Sequence, residues 1–185
     1  MTNFPDSWRA WRVRRRNRPG DSQPTSSDQA HTQVLETSAS TAQEAYAELM
    51  KQRIAPLLRA NGLIGSGGRF SLKSETHWAL LGFQKSAYSD RSEVRFTVNL
   101  LVVRRDEWDE LKAHAPHYGP NPTPTITYPA PVRHTRIGQL AEDPADKWWR
   151  IFPDQDLDLL MSDLRGDLLG SALPWMRQQI ATATQ

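Results

Sequence analysis

The chain contains no cysteine, which excludes disulfide frameworks, thiolate zinc sites and thiol nucleophiles together and leaves a sequence compatible with a reducing compartment. Long apolar runs are missing too, since no stretch reaches the roughly 18 residues that a membrane span requires. The arginines near the N-terminus are followed by no apolar segment of the kind a secretory signal needs, and Arg14-Arg15 lacks the surroundings of a twin-arginine export signal. A glycine-rich turn is present at Gly65-Ser66-Gly67-Gly68, but the Gly-Lys-Ser/Thr that completes a phosphate loop is not. That turn also leads from a helix into a strand, the wrong order for a helix dipole to meet a phosphate. No motif implies a cofactor. The expectation is a soluble cytoplasmic protein.

Acidic residues are scarce at one end. Residues 1–20 carry Arg9, Arg12, Arg14, Arg15, Arg16 and Arg18 against Asp6 alone, so the arm holds a charge of +5 while the whole chain stands at only +2. The rest of the chain is therefore acidic overall, and the alkaline isoelectric point belongs to the arm. Trp8 and Trp11 interleave with these arginines, a composition suited to phosphate contacts with base stacking, or to an anionic membrane surface. The arginine cluster is the candidate nucleic-acid contact, and an idle basic tail is the bland alternative. Residues 21–40 are rich in Ser, Thr, Gln and Asp and hold too little apolar surface to offset the entropy of ordering. The expected division is a disordered basic arm and polar linker over 1–39, then a single domain over 40–180.

In that second part, 38% hydrophobic residues over the chain and seven tryptophans are enough for one core. The organising stretch is 69–103. From Glu93 to Val103, Val94, Phe96, Val98, Leu100 and Val102 fall on one face of a period of two, with Arg95, Thr97 and Asn99 on the other. His77–Ser86 and Arg69–Ser74 supply two further strands, and His134–Leu140 and Asp146–Phe152 a fourth and a fifth. The adjacent Trp148 and Trp149 place one indole on each face.

A helix is expected from Ser40, with capping-box spacing in Ser40 and Gln43 or in Thr41 and Glu44, a kink at Pro56 and a left-handed cap at Asn61-Gly62. Arg104–Ala113 reads as a short helix with Trp108 and Leu111 on one side. His114–Val132, interrupted by prolines, reads as an exposed loop with at most a short extended piece at 125–128. Asp154 is expected to cap a second long helix that ends at Gly170, with another short helix from Ser171. The fold class is α+β: a mostly antiparallel sheet of about five strands, with the long N-terminal and C-terminal helices packed on one face.

The order of a helix, a Gly-rich turn, RFSLKS at 69–74, WALLGFQKS at 78–86, VRFTVNLLV at 94–102, DKWWRI at 146–151 and LPWM at 173–176 resembles the bacterial family called domain of unknown function 4304. The resemblance covers about residues 44–177. Leu63 stands where the family's pattern has the phenylalanine of a Gly-Phe pair, and the proline-rich loop is longer than usual. The family carries no established activity, so the resemblance implies an α+β domain of bacterial origin and no particular chemistry.

Several constellations invite a chemical reading and fail on spacing. Asp154, Asp156 and Asp158 alternate as calcium ligands do, yet Leu159 and Arg165 occupy the places of the required glycine and glutamate. His114 and His117 stand three apart near Asp109 and Glu110, but Pro116 lies between them, which favours solvated loop histidines over a metal site. Ser86 with His77 or His134 as base lacks both the strained elbow and an orienting acid, which leaves a hydrolase as a weak alternative.

The polar cluster Gln84, Lys85, Ser86 and Tyr88 differs in that it ends an otherwise apolar strand. It is the candidate site for a ligand or protein partner. A hydrogen-bonded edge of the core, on the face shared by Trp78 and Leu80, is the structural alternative. The reading that follows is a non-catalytic binding or protein-interaction module, immunity-like or regulatory, with nucleic-acid association through the arm as the second choice.

Overall fold

The computed structural model describes residues 40–182. The arm, its arginines and the linker lie outside the described residues. Ala42–Glu48, Leu49–Ile54 and Ala55–Ala60 follow one another as a single helix, α1. Strands β1 (Leu63–Ser66), β2 (Arg69–Leu72), β3 (His77–Lys85) and β4 (Val94–Arg104) follow, then helix α2 (Arg105–His114). Strands β5 (Arg133–Arg136) and β6 (Trp149–Ile151) come next, and a last helix, α3, runs through Asp158–Asp167, Leu168–Ala172 and Leu173–Thr182.

All pairings are antiparallel, in the order β1-β2-β3-β4-β5, with β6 also on β4. The length of β4 explains that branch. Its Asn99–Val102 half pairs with β5, and its Val94–Phe96 half pairs with β6 on the same edge. The fold is α+β, as the alternation in the strands and the expected helices predict.

The apolar side chains of β4 predicted for one face lie in the main core, with Leu49, Ile54 and Leu58 of α1 and Leu164, Leu168, Leu173 and Met176 of α3. Trp149 stacks on Phe96 at 5.6 Å between centroids, while its indole N–H donates to Asp163 of α3 at 2.7 Å. Trp148 turns away and donates to Asp146, so the two indoles do serve different sides. Beside them Lys147 bonds Asp163 and Asp167, and its carbonyl accepts from the buried Thr97 hydroxyl, which ties β6 to α3 and β4.

Both outer helices contain one widened turn, at Leu49–Ile54 and at Leu168–Ala172, where the following N–H bonds the carbonyl five residues back. Each sits just ahead of a proline, Pro56 or Pro174. A helical proline has no N–H, and its ring crowds the carbonyl four residues before it; a wider turn moves that carbonyl aside. The kink expected at Pro56 is thus taken up upstream. Gly170 does not end α3 as expected, because it is not among the positive-φ glycines and the chain passes through it inside the widened turn. Asp154 does not cap α3 either. It sits at φ +55°, and the helix begins four residues later at Asp158, whose N–H is held by the Asp156 carboxylate.

Strand β1 is absent from the sequence reading, which took the glycines for a loop. Ser66 pairs with Arg69, so Gly67-Gly68 is a two-residue hairpin turn, and their φ values of +58° and +85° are those such a turn demands. Arg59 of α1 donates to the Gly65 carbonyl at 2.7 and 3.2 Å, which ties this edge strand to the helix.

The opposite face of the sheet is also covered. Leu101, Val103, Trp108, Tyr128 and Val132 form a second buried cluster. The 114–132 loop is therefore not simply exposed, and residues 125–128 form no strand. Its aromatic residues close over Trp108, whose indole N–H donates to the Pro120 carbonyl at 3.1 Å. Leu80, read as a core-face residue, is only half-buried beside Trp78 on this second face.

His77 lies at the start of β3, 3% exposed, with Nδ1 2.8 Å from the Thr76 hydroxyl and Nε2 without a partner among the described residues. Burial holds its pKa below the usual histidine value, helped by the Arg104 charge and opposed by Glu107 and Asp106. Folding is therefore favoured while the ring is neutral. That contribution is complete above the unfolded value of about 6.5 and is lost as pH falls through the lower folded value. Urea midpoints measured from pH 8 to pH 5 are expected to decline more in the wild type than in His77→Gln. Equal declines would assign the pH dependence to other groups.

Candidate functional site

Two concave regions on the described part of the sheet bear on function. One lies on the second face, about 460 Å³, and is lined by Gln84, Asn99, His134, Arg136 and Asp146 among others. Several of its polar groups bond one another or the adjoining backbone. Asn99 donates to Gln84 at 2.8 Å, Arg136 donates to Asn99 and to Asp146, and His134 Nε2 stands 2.7 Å from the Pro124 carbonyl. The Trp148 indole and then the Arg136 guanidinium hold the Asp146 carboxyl below its ordinary value. Such a network is an internal brace.

The other region, about 490 Å³, lies between α1, the β1–β2 hairpin turn and the end of β3. Its construction starts at the helix cap. Thr41 and Glu44 form the capping box, which is one of the two pairs anticipated, and this leaves the neighbouring Gln43 for another task. The Gln43 amide donates to the Asp90 carbonyl at 3.2 Å and accepts from Lys85 Nζ at 2.8 Å, so it fixes both its own orientation and that of the lysine. Tyr46 and Met50 follow along α1, four residues apart and therefore on one face, with Ala47 and Lys51 beside them.

The hairpin turn forms another wall. The Gly68 carbonyl accepts from the Phe83 N–H at 2.8 Å, and a Cβ at Gly68 would come within 3.6 Å of Phe83 Cβ and 4.0 Å of Met50 Cε. The turn thus lies directly against the apolar floor. Phe83 is edge-on to Phe70 at 6.3 Å and near Phe96 at 6.2 Å. Burial pushes the Tyr46 phenol up to about 12, so its hydroxyl is neutral at physiological pH. Lys85 Nζ lies 5.4 Å from the Tyr46 ring centroid.

The pleat separates the four residues singled out from the sequence. Lys85 lines this cleft, Gln84 points to the opposite face, the Ser86 hydroxyl accepts from the Tyr88 N–H, and Tyr88 is 86% exposed. Gln43, Tyr46, Met50, Lys51 and Phe83 were missed. The alternation of Phe83 with Lys85 was the available signal, and the first helix was expected only to pack on the sheet.

Ser86 and His77 bracket β3, about 30 Å apart at the rise of a strand, and His134 pairs with Leu101, well along β4 from Arg95, whose carbonyl holds the Ser86 N–H. The structure therefore does not bring the serine and either histidine together. His114 Nδ1 lies 2.9 Å from the Glu110 carbonyl, and the His117 ring lies tilted against Tyr118, 4.3 Å between centroids. Among the described residues no three His, Asp or Glu side chains gather as a metal site, and no helix is long and apolar enough to cross a membrane.

No curated protein and no solved structure matches the chain. A family model does match, over residues 54–178, which spans the sheet, most of α3 and the C-terminal end of α1. The chain belongs to the family described as Domain of unknown function (DUF4304).

Proposed function

We propose that this protein is a non-catalytic binding module of the bacterial cytoplasm, and that the cleft between α1, the hairpin turn and the end of β3 is where it takes a small ligand. The supporting observation is the cleft itself. Its volume falls within the range of small-molecule sites, about 300–1,000 Å³, and its floor is apolar while a few polar groups converge on the rim. Its lining includes neither histidine nor carboxylate to serve as a general base for Ser66. The nucleic-acid reading rests only on the composition of the arm, outside the described residues.

Ala47 faces the cleft from α1, so Ala47→Trp fills the space without touching the main core. Screening a fragment set by thermal shift is expected to find compounds that raise the melting temperature of the wild type and leave Ala47→Trp unmoved. Compounds that shift both proteins equally, or none that shift either, would refute the assignment.

A further inference from the structure

We propose that the ligand is a small amphipathic anion, with a carboxylate or phosphate head between Lys51 and Lys85 and an acyl or aryl body on Tyr46, Met50 and Phe83. This rests on the binding role assigned to the cleft and adds the chemistry of what is bound. The argument starts from charge. Lys51, Arg59 and Lys85 all line the cleft, and no aspartate or glutamate does.

Some of the cations elsewhere in the domain find counter-ions. Lys147 bonds Asp163 and Asp167, Lys112 bonds Asp109, Arg53 bonds Asp158, Arg136 bonds Asp146, and Arg150 bonds Glu93. None of the three cleft cations forms an ion pair with a described carboxylate. Arg59 is committed to the Gly65 carbonyl, which leaves the two lysines as the charges that face a ligand.

Geometry adds to charge. An ammonium group has three donors, and Lys85 uses one on Gln43, so the remaining donors are free for an anion while the amide keeps the group in place. Beside a low-dielectric floor of Phe83, Met50 and Tyr46, an anion meets these charges with less screening than in open water. The neutral Tyr46 hydroxyl adds no negative charge to oppose it. A purely inorganic anion would leave that floor exposed, and a neutral apolar molecule would leave the lysines unused. One molecule with both parts meets both demands.

Titration calorimetry with the full chain separates these terms, using octanoate, octyl phosphate, octanol, octyltrimethylammonium and inorganic phosphate, each below its micelle concentration. Octanoate or octyl phosphate is expected to bind at least about tenfold more tightly than octanol, the order of one hydrogen bond to a charged group. Their ranking tells which head group is preferred. Octyltrimethylammonium and inorganic phosphate should bind more weakly than either. In Lys51→Gln/Lys85→Gln, which changes two exposed positions, the preference for the anions over octanol should vanish.

Octanol binding as tightly as octanoate to the wild type, or an anion preference that survives the double substitution, would overturn the charge assignment while the cleft stays a binding site. Fragments that fail against Ala47→Trp and the wild type alike, together with no binding by any octyl compound, would remove the binding role itself.

Discussion

Phe96→Ala is expected to lower folding stability by about 3–5 kcal/mol, the range for removing a large aromatic side chain from a closed interior. Phe96 is completely buried on β4, where it pairs with Lys85 on one side and Trp149 on the other. Tyr46 of α1 meets it edge-on at 5.2 Å, Phe83 lies at 6.2 Å, and Trp149 stacks at 5.6 Å. The three rings arrive from three different elements, and each is tied by its own backbone or by a polar anchor such as the Trp149 bond to Asp163. They are poorly placed to collapse into the gap, and a cavity that stays open carries the larger penalty.

Urea denaturation measures the loss, and the same variant reports on the cleft. Phe83 and Tyr46 both line it and both lean on Phe96, so anion binding should weaken along with stability. A loss below about 1 kcal/mol would mean that the rings close ranks freely, and the rigid floor assigned to the cleft would no longer stand.

Periodicity made the helix-side core legible because Val94, Phe96, Val98, Leu100 and Val102 keep one face of β4 apolar throughout, and all five are buried. The cap of α1 was equally readable: Thr41 and Glu44 need only correct spacing, and local geometry decides the rest. Three features were not readable, for different reasons. Strand β1 is four residues long with a glycine inside it, and its partner β2 holds it by a turn that composition alone marks as flexible. The widened helical turns answer to prolines that lie after them, so the signal is displaced from the effect.

The cleft escaped because it is assembled across α1, the hairpin and β3, from residues whose individual reading was ordinary core or ordinary surface. The polar end of β3 did draw attention. Yet a pleat sends neighbours to opposite faces, so Gln84 and Lys85, adjacent in the chain, serve different regions of the fold.

Trp108→Ala is expected to cost a similar amount, about 3–5 kcal/mol, for a reason that lies on the other side of the sheet. Sequence alternation gave that face polar residues at Arg95, Thr97 and Asn99, but nearer the end of β4 it is apolar, with Leu101 and Val103. Those two side chains need a cover, and Trp108, fully buried on α2, supplies it together with Tyr118 and Tyr128 from the proline-rich loop. Tyr128 is edge-on to Trp108 at 5.0 Å and its hydroxyl accepts from the Thr123 N–H, so the loop is folded around the indole.

Removing Trp108 therefore takes away both the cover and the post to which the loop is fastened. Amide exchange in residues 115–132 should speed up well beyond what the global loss of stability explains, whereas Phe96→Ala should leave that loop's local protection intact. Trp108→Phe keeps an aromatic cover while it gives up the bond to the Pro120 carbonyl, a loss of about 1 kcal/mol, together with the packing of the pyrrole ring, so its cost should fall between that bond alone and the full Trp108→Ala loss. If Trp108→Ala proves as mild as a surface substitution, within about 0.5 kcal/mol, the loop is held by its own prolines and the second cluster contributes little to the fold.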